Sequence, residues 1–230
     1  MKKRLTRFLP FLLAFTIALP SYSVFAEEEN QAKETQTNET NETQADETTA
    51  NDTLSLAAET AVLIDAASGE ILYDKDADKK MYPASITKLM TILLALENGK
   101  LTDEITFSHD AVYNIEPGSA HIAILEGETL TLEQVLRAII LRSANEASNG
   151  VAEYVDGSVE AFAKHMTERA KELGCTNTNF VNANGLFDEN HYTTAHDMAL
   201  IARELLKHEE YRSMMSETDY EIPPTNLQTE

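Results

Sequence analysis

The sequence predicts an α+β domain, and three observations support this prediction. Residues 60–65 and 70–74 are short runs of strand-forming residues, and the turn-forming run 66–69 between them is typical of a β-hairpin. A series of helical patterns follows, and residues 220–224 look like the start of a strand or a turn. A hairpin that precedes a run of helices favours an α+β fold over alternating strands and helices.

Two N-terminal segments are predicted to lie outside this domain. Residues 1–26 have a basic start, an apolar run at 8–19 and a small-x-small site at 24–26, which indicates a secretory signal peptide. An uncleaved membrane anchor is the alternative, but the apolar run is short for a bilayer. Residues 27–53 carry nine acidic residues against one lysine and almost no aliphatic residue, which predicts a disordered acidic tether. Residues 54–230 are therefore the predicted exported domain.

Charge and cysteine content limit the possible functions of this domain. The chain has a net charge of −21, and −17 of it falls on residues 54–230 after the +4 leader and the −8 tether are set apart. So negative a domain excludes a nucleic-acid partner, because nucleic acid requires a basic face. Cys175 is the only cysteine, so no internal disulfide is expected, and a buried thiol is its expected state.

Helices follow the hairpin in a regular order. The first is apolar on nearly all sides and is therefore expected to be buried. Thr131 and Gln134 form a capping box, and Thr194 and Asp197 form a similar start signal. Helices are predicted at 85–97, 131–141, 146–155, 159–173 and 194–207, and the irregular segment 103–129 is expected to hold a short strand at 121–125 and a turn at 126–127.

Ser85-Ile86-Thr87-Lys88 is the motif with the clearest chemical meaning. Ser85 and Lys88 are three residues apart, so on a helix the amine reaches the hydroxyl directly. A serine hydroxyl is a weak nucleophile that needs a base, and a lysine serves as that base only when its pKa is lowered. The alternative is a helix cap followed by a surface lysine. Taken alone, this short motif leaves both interpretations open.

A second short motif, Ser143-Ala144-Asn145, lies between two predicted helices. Its serine is able to relay a proton, and its asparagine is able to hold a substrate amide or steady a base. Alone it is typical of a helix cap or a turn, because both residue types favour such positions. Its position after Ser-x-x-Lys, in an exported protein, gives the pair more meaning than either motif has alone.

Together these motifs resemble those of the penicillin-binding carboxypeptidases that remove D-alanine from bacterial peptidoglycan. The resemblance covers residues 56–226 and includes Tyr82-Pro83-Ala84 and the segments 179–182, 185–186 and 190–199. It implies the β-lactamase/transpeptidase-like fold, a three-layer α/β/α arrangement with an antiparallel sheet flanked by helices. It also implies a location outside the cytoplasmic membrane, no cofactor and no metal, and a possible membrane anchor in a full-length form.

The resemblance assigns a role to four residues. Ser85 would be the acyl-ester nucleophile and Lys88 its general base. Ser143 would carry a proton to the leaving D-alanine, and Asn145 would contact the peptide and Lys88. The substrate would be a peptidoglycan stem peptide, and β-lactam antibiotics would acylate the same serine and stay attached as stable esters. The Ser85 N–H and a second N–H from a downstream strand would form the oxyanion hole.

The sequence departs from the family pattern at its third motif. No lysine is followed by Thr-Gly or Ser-Gly, and the expected reason is a C-terminal truncation. Residues 54–230 alone are therefore expected to be unstable and inactive, with unpaired strand edges and uncovered faces at Ile64, Ile71 and Tyr73. Ala183-Asn184 stands where many relatives have Pro-His, which is expected to affect a local loop only.

Three other functions compete with the carboxypeptidase interpretation. A class A β-lactamase shares the first two motifs but also needs a Glu-x-x-Leu-Asn loop, which is absent from this sequence. A non-catalytic cell-wall-binding or regulatory relative would explain the missing third motif. A metal enzyme is disfavoured because no two of the six histidines are three or four residues apart.

Overall fold

The computed structural model describes the backbone of residues 3–6 and both backbone and side chains of residues 56–229. Most of the predicted signal peptide and all of the predicted tether at 27–53 lie outside these residues. None of the described helices is both long enough and apolar enough to cross a bilayer. The elements in chain order are β1 (Lys3–Thr6), β2 (Ala61–Ile64), β3 (Ile71–Lys75), a 3₁₀ turn (Ala84–Thr87), α1 (Lys88–Asn98), β4 (Glu104–Thr106), α2 (His109–Tyr113), β5 (Thr129–Thr131), α3 (Leu132–Arg142), α4 (Asn145–Asp156), α5 (Val159–Glu172), α6 (Ala195–Leu205), α7 (Glu209–Met215) and β6 (Asp219–Ile222).

Helices and antiparallel strands together confirm the predicted α+β class. The strands form three two-stranded antiparallel sheets, which pair β1 with β6, β2 with β3 and β4 with β5. The resemblance implied an antiparallel sheet whose C-terminal strands are missing from this chain, and within the described residues the strands form three separate pairs. The predicted hairpin is β2–β3, with Leu63 opposite Tyr73, and the strand predicted near residue 220 is β6.

The β2–β3 hairpin is fixed by its turn and by helix α6. The Asp65 carboxylate accepts hydrogen bonds from the backbone N–H groups of Ala67 and Ser68, at 3.1 and 2.6 Å. Arg203 of α6 donates to the carbonyl oxygens of Ala66 and Ala67, at 2.8 and 2.7 Å. These bonds attach the hairpin to the helical part of the domain.

The hairpin is covered more fully than the sequence predicted. Tyr73 was expected on an uncovered face, but it is only 8% exposed. Helix α6 packs against the other strand of the hairpin, β2. Ile71 is 44% exposed and Ile64 is half-buried. The prediction of an uncovered face was therefore wrong for Tyr73, whereas Ile71 does remain largely in contact with solvent.

Helix α1 lies at the centre of the domain. Its residues Met90, Leu93, Leu94 and Ala95 are fully buried, which confirms the burial predicted from its apolar sequence. Helices α3, α4, α5 and α6 all pack against it. Because its first residue is Lys88, this packing places the amine of that lysine at the edge of the core.

Helix starts follow the predicted capping signals. Thr131 Oγ1 accepts a hydrogen bond from the Gln134 N–H, and Gln134 Oε1 accepts one from the Thr131 N–H, so the capping box of α3 is complete. Thr194 Oγ1 accepts from the Asp197 N–H at the start of α6. These side chains satisfy backbone donors that a helix otherwise leaves unpaired at its N-terminus.

Two local predictions were wrong, and some short elements were not predicted. The first predicted helix starts later, since residues 84–87 form a 3₁₀ turn and α1 begins at Lys88. Residues 121–125 form no strand, because Ala123 has a φ of 59°, which interrupts an extended chain. Helices α2 and α7 and the strand pair β4–β5 were not predicted, since each of these elements has seven residues or fewer.

Candidate active site

Ser85 lies on the turn that leads into helix α1. The turn follows Pro83, and Ala84 has a φ of 47°, a left-handed conformation that is uncommon for a residue with a side chain. Ser85 is exposed, whereas Thr87 and Lys88 directly after it are buried. The turn therefore presents the serine hydroxyl to solvent at the N-terminal end of a buried helix.

Lys88 contacts the hydroxyl that the sequence assigned to it. Its Nζ donates to Ser85 Oγ at 3.2 Å and to the carbonyl oxygen of Asn184 at 2.6 Å. Lys88 is only 4% exposed. The structure therefore brings the predicted nucleophile and base together, and it adds a backbone contact that the sequence did not predict.

Burial changes the acidity of this lysine. The pKa of Lys88 is lowered from 10.5 to about 8, because removal from water disfavours the charged amine. The Glu146 carboxylate acts in the opposite direction and raises the pKa of Lys88. Burial is therefore the cause of the lowered pKa, and the charge that acts on Lys88 is negative. A lysine in this state is able to accept a proton near neutral pH.

Glu146 is a buried carboxylate that the sequence argument did not single out. It is 1% exposed, and its Oε1 accepts a hydrogen bond from the Ile122 N–H at 2.7 Å. Its Oε2 is buried without a hydrogen-bond partner. Its position directly after Asn145, in the first turn of α4, was the available signal.

Ser143 and Asn145 lie at the junction of helices α3 and α4. Ser143 ends α3 in the left-handed conformation, with a φ of 55°, and its Oγ is buried without a hydrogen-bond partner. Asn145 is 4% exposed, and its N–H donates to the Ala120 carbonyl at 2.8 Å. The two hydrogen bonds of the Lys88 amine go to Ser85 and Asn184, so the expected contact with Asn145 is not among them. The adjoining Glu146 links this junction to Lys88 through its charge.

A loop at residues 182–186 closes the other side of the site. Thr91 Oγ1 donates to the Ala183 carbonyl at 2.6 Å, one helical turn beyond the bond from Lys88 to Asn184. Asn184 Nδ2 donates to Asn149 Oδ1 of α4 at 3.2 Å. The departure at Ala183-Asn184 was expected to affect a local loop only. Both residues also contact α1, but they do so through their backbone carbonyl oxygens, which any residue type supplies.

The loop touches the nucleophile turn so closely that residue 185 has no room for a side chain. Gly185 has a φ of 86°, and a Cβ at this position would lie 1.9 Å from the carbonyl oxygen of Ala84. It would also lie 3.0 Å from Thr87 Oγ1. The backbone of the loop therefore packs directly against the turn that carries Ser85.

The other candidates for reactive chemistry are Cys175 and the residue types that bind metals. Cys175 is buried and free, its Sγ lies 3.4 Å from the Asp197 carbonyl oxygen, and burial raises the pKa of its thiol to about 12. This confirms the predicted buried thiol. Within the part of the chain that the structure describes, no three His, Cys, Asp or Glu side chains are grouped to hold a metal ion.

Comparison with known proteins identifies the fold. Penicillin binding protein 5 from Haemophilus influenzae superposes with a TM-score of 0.68 at 33% identity, over 73% of this chain and 50% of that one. The D-alanyl-D-alanine carboxypeptidase DacD from Francisella tularensis gives a TM-score of 0.66 at 32% identity, over 71% of this chain and 40% of that one. The expected transpeptidase-like fold is therefore confirmed, and the chain shares it with this class of penicillin-binding proteins.

Within that class the family is also identified. The profile of the peptidase S11 family, D-alanyl-D-alanine carboxypeptidase, matches residues 44–227. The D-alanyl-D-alanine carboxypeptidase DacF of Bacillus subtilis is 43% identical over 161 residues, which are 68% of this chain and 41% of DacF. DacC of Escherichia coli is 37% identical over 160 residues, which are 66% of this chain and 40% of DacC. The chain belongs to the S11 family, and it spans about 40% of the length of these relatives.

Proposed function

We propose that the protein is a serine-type D-Ala-D-Ala carboxypeptidase that removes the terminal D-alanine from peptidoglycan stem peptides. The observation that carries the proposal is the buried Lys88 amine, with its pKa lowered to about 8, at 3.2 Å from the exposed Ser85 hydroxyl. A surface lysine after a helix cap, the alternative interpretation of the motif, would be solvated and would keep its usual pKa. Membership of the S11 family supports the same reaction.

In the proposed reaction Ser85 Oγ attacks the carbonyl carbon of the D-Ala-D-Ala bond while Lys88 Nζ takes its proton. The tetrahedral intermediate collapses, the C–N bond breaks, and the proton held by Lys88 passes through the Ser143 hydroxyl to the departing amine of D-alanine, so that Lys88 and Ser143 return to their starting states. Water then hydrolyses the Ser85 ester and releases the shortened peptide. A β-lactam would follow the first step and remain attached as an ester.

The remaining roles belong to binding. Asn145 would hold the substrate peptide, and its place beside Ser143 at the start of α4 supports this assignment. The Ser85 N–H, at the start of a buried helix, would donate to the oxyanion, and such a donor is typically worth about 3 kcal/mol. The stem peptide lies outside the cytoplasmic membrane, so the proposal also places the domain there, in agreement with the signal peptide predicted at residues 1–26.

One alternative is a relative that binds the cell wall without turnover. It is favoured by one observation, the absence of Lys-Thr-Gly or Lys-Ser-Gly from the 230 residues. That motif would supply the strand that binds the substrate carboxylate. A Lys-Thr-Gly in sequence that follows Glu230 would favour the enzyme, and its absence there would favour the binding module.

Acylation by a fluorescent penicillin tests the proposal. The whole protein, including any sequence that follows Glu230, is incubated with the reagent, and the labelled peptide is identified by mass spectrometry. We expect labelling at Ser85 and its complete loss in S85A and K88A. The exposed Ser213 on α7 provides a matched control, so S213A should label like the unchanged protein. Labelling that survives in S85A would place the nucleophile elsewhere. Rapid turnover of a chromogenic cephalosporin would indicate a β-lactamase instead.

A further inference from the structure

His191 is a buried titratable residue for which the proposed reaction has no use. It is 2% exposed, and the Phe180 ring contacts it edge-on, with 5.6 Å between the ring centroids. Its Nε2 lies 2.8 Å from Thr87 Oγ1. Thr87 is the residue between the exposed turn and Lys88, so this histidine contacts the reactive segment from inside the protein.

The partners of the ring determine its tautomer. The backbone N–H of Val181 donates to His191 Nδ1 at 3.2 Å, and this backbone group has no means of accepting a hydrogen bond. Nδ1 must therefore carry a lone pair, and the single ring proton lies on Nε2. The imidazole thus donates from Nε2 to Thr87 Oγ1. Burial favours this neutral ring, because it lowers the pKa of His191 to about 4. The Asp188 carboxylate raises the pKa of His191, but its effect is smaller.

The Thr87 hydroxyl is committed to this contact. Thr87 is fully buried and occupies the N-cap position of α1, where a threonine side chain usually accepts a hydrogen bond from the helix. Its side chain makes no such capping bond. It bonds to His191 instead, so the last residue of the 3₁₀ turn is tied to the segment that follows the 182–186 loop.

We infer that His191 is a positioning residue, which holds the Thr87 hydroxyl from Nε2 and thereby fixes the turn that carries Ser85 and the direction of Lys88. This inference rests on the proposed function only for the roles of Ser85 and Lys88. Residues 183–191 make four contacts with the turn and the start of α1: the bond to Thr87 and the close approach of Gly185 on the turn, and the bonds to Lys88 and Thr91 on the helix. The contact from His191 is the only one of these four made by a side chain of that segment.

Two substitutions of Thr87 separate positioning from packing. T87V keeps the shape of the side chain but removes the oxygen that accepts from His191, and T87S keeps the oxygen but removes a methyl group. In T87V we expect acylation by penicillin to slow by about tenfold, the loss typical of one buried hydrogen bond. We also expect the pKa of Lys88 to rise, because a looser turn admits water. T87S should retain the rate and the Lys88 pKa of the unchanged protein.

The measurements are made on the whole protein. Long-range ¹H–¹⁵N spectra report the tautomer of His191, and NMR titration of labelled lysine reports the pKa of Lys88. A role in packing alone would lower the melting temperature in both variants without moving the Lys88 pKa or the pH profile of acylation.

Two results would overturn the inference: a ring protonated on Nδ1 in the unchanged protein near pH 7, or a T87V protein whose kinetics and Lys88 pKa match those of T87S. The tautomer measurement needs no variant, so it decides the inference even if T87V does not fold. If the unchanged protein is not acylated but the Lys88 pKa still responds to T87V, the positioning role stands and the proposed function fails.

Discussion

At the scale of single residues, the acidity of Lys88 is the property on which the proposed chemistry depends. Two opposing effects set it: burial lowers its pKa and the Glu146 carboxylate raises it, with burial the larger. The amine also donates two hydrogen bonds, to Ser85 Oγ and to the Asn184 carbonyl. The carbonyl only accepts and so orients the amine, whereas the Ser85 hydroxyl is able to donate to the amine once it is neutral, which is the direction that proton transfer to Lys88 requires.

Replacement of Glu146 tests this balance. In E146Q the negative charge is lost while an oxygen remains to accept from the Ile122 N–H. The carboxylate favours the charged amine, so its removal lowers the pKa of Lys88 further and leaves more neutral base at a given pH. The acidic limb of the acylation profile should therefore move to lower pH, by up to about one unit. The measurement is the acylation rate against pH.

E160Q is the matched control for this prediction. Glu160 is exposed on α5, so its replacement removes the same charge without touching a buried contact. Its profile should overlay that of the unchanged protein, because solvent screens a surface charge. A shift of the E146Q profile to higher pH, or shifts of equal size in both variants, would contradict the assignment of Glu146.

At the scale of elements, the site depends on a loop that packs against a turn. The carbonyl groups of residues 183 and 184 accept hydrogen bonds from α1, and the backbone at Gly185 touches the carbonyl of Ala84. The Asn182 side chain holds the loop in shape by accepting from the Asn184 and Gly185 N–H groups. The loop therefore supports the turn that carries Ser85, in addition to connecting α5 to α6.

Two glycines with nearly the same backbone conformation test this support. Gly185 has a φ of 86° and Gly118 a φ of 82°, but only Gly185 has atoms within 4 Å of where a Cβ would lie. G118A should cost about 1–2 kcal/mol of unfolding free energy, from the left-handed conformation alone. G185A adds a clash with backbone and should cost about 2–5 kcal/mol. Urea unfolding measures both, and equal losses would show that the loop yields easily.

Sequence patterns predicted some elements well and others not at all. Helices α3 and α6 were predicted because Thr131, Gln134 and Thr194 carry local signals that their own helices use. Gly99 follows the last residue of α1 with an extended φ of −133°, and its missing side chain makes room for Leu132 and Tyr154. Close packing between distant segments leaves no local pattern in a sequence.

The candidate site also contains some contacts that the sequence predicted and others that it did not. Ser85 and Lys88 were predicted because their contact is local, and the structure brings them together. The bonds to the Asn184 carbonyl and to His191 join residues about a hundred positions apart, so spacing gave no indication of them. Roles for Ser143 and Asn145 came from the resemblance, and they stay predictions.

At the scale of the whole molecule, charge and exposed apolar surface act against each other. The chain has a net charge of −21, which keeps copies apart at low ionic strength. The hairpin has the opposite effect, because Leu63 and Leu72 are 54% and 51% exposed on strands. Within the described residues, β2 and β3 pair only with each other, so no other described strand pairs with their outer edges.

Because charge repulsion and exposed apolar surface act against each other, we expect aggregation to depend on the salt concentration and on the hairpin. Added salt shortens the range of the charge repulsion to about 3 Å at 1 M, so light scattering of the unchanged protein should increase with salt concentration. L63T should reduce that increase, because threonine keeps the strand but removes apolar surface from it. Leu227 is 48% exposed outside any strand, so L227T removes a similar surface without altering an edge and should aggregate like the unchanged protein. Equal protection by both substitutions would show that exposed apolar area alone drives association, and that the open edge of the hairpin has no special part in it.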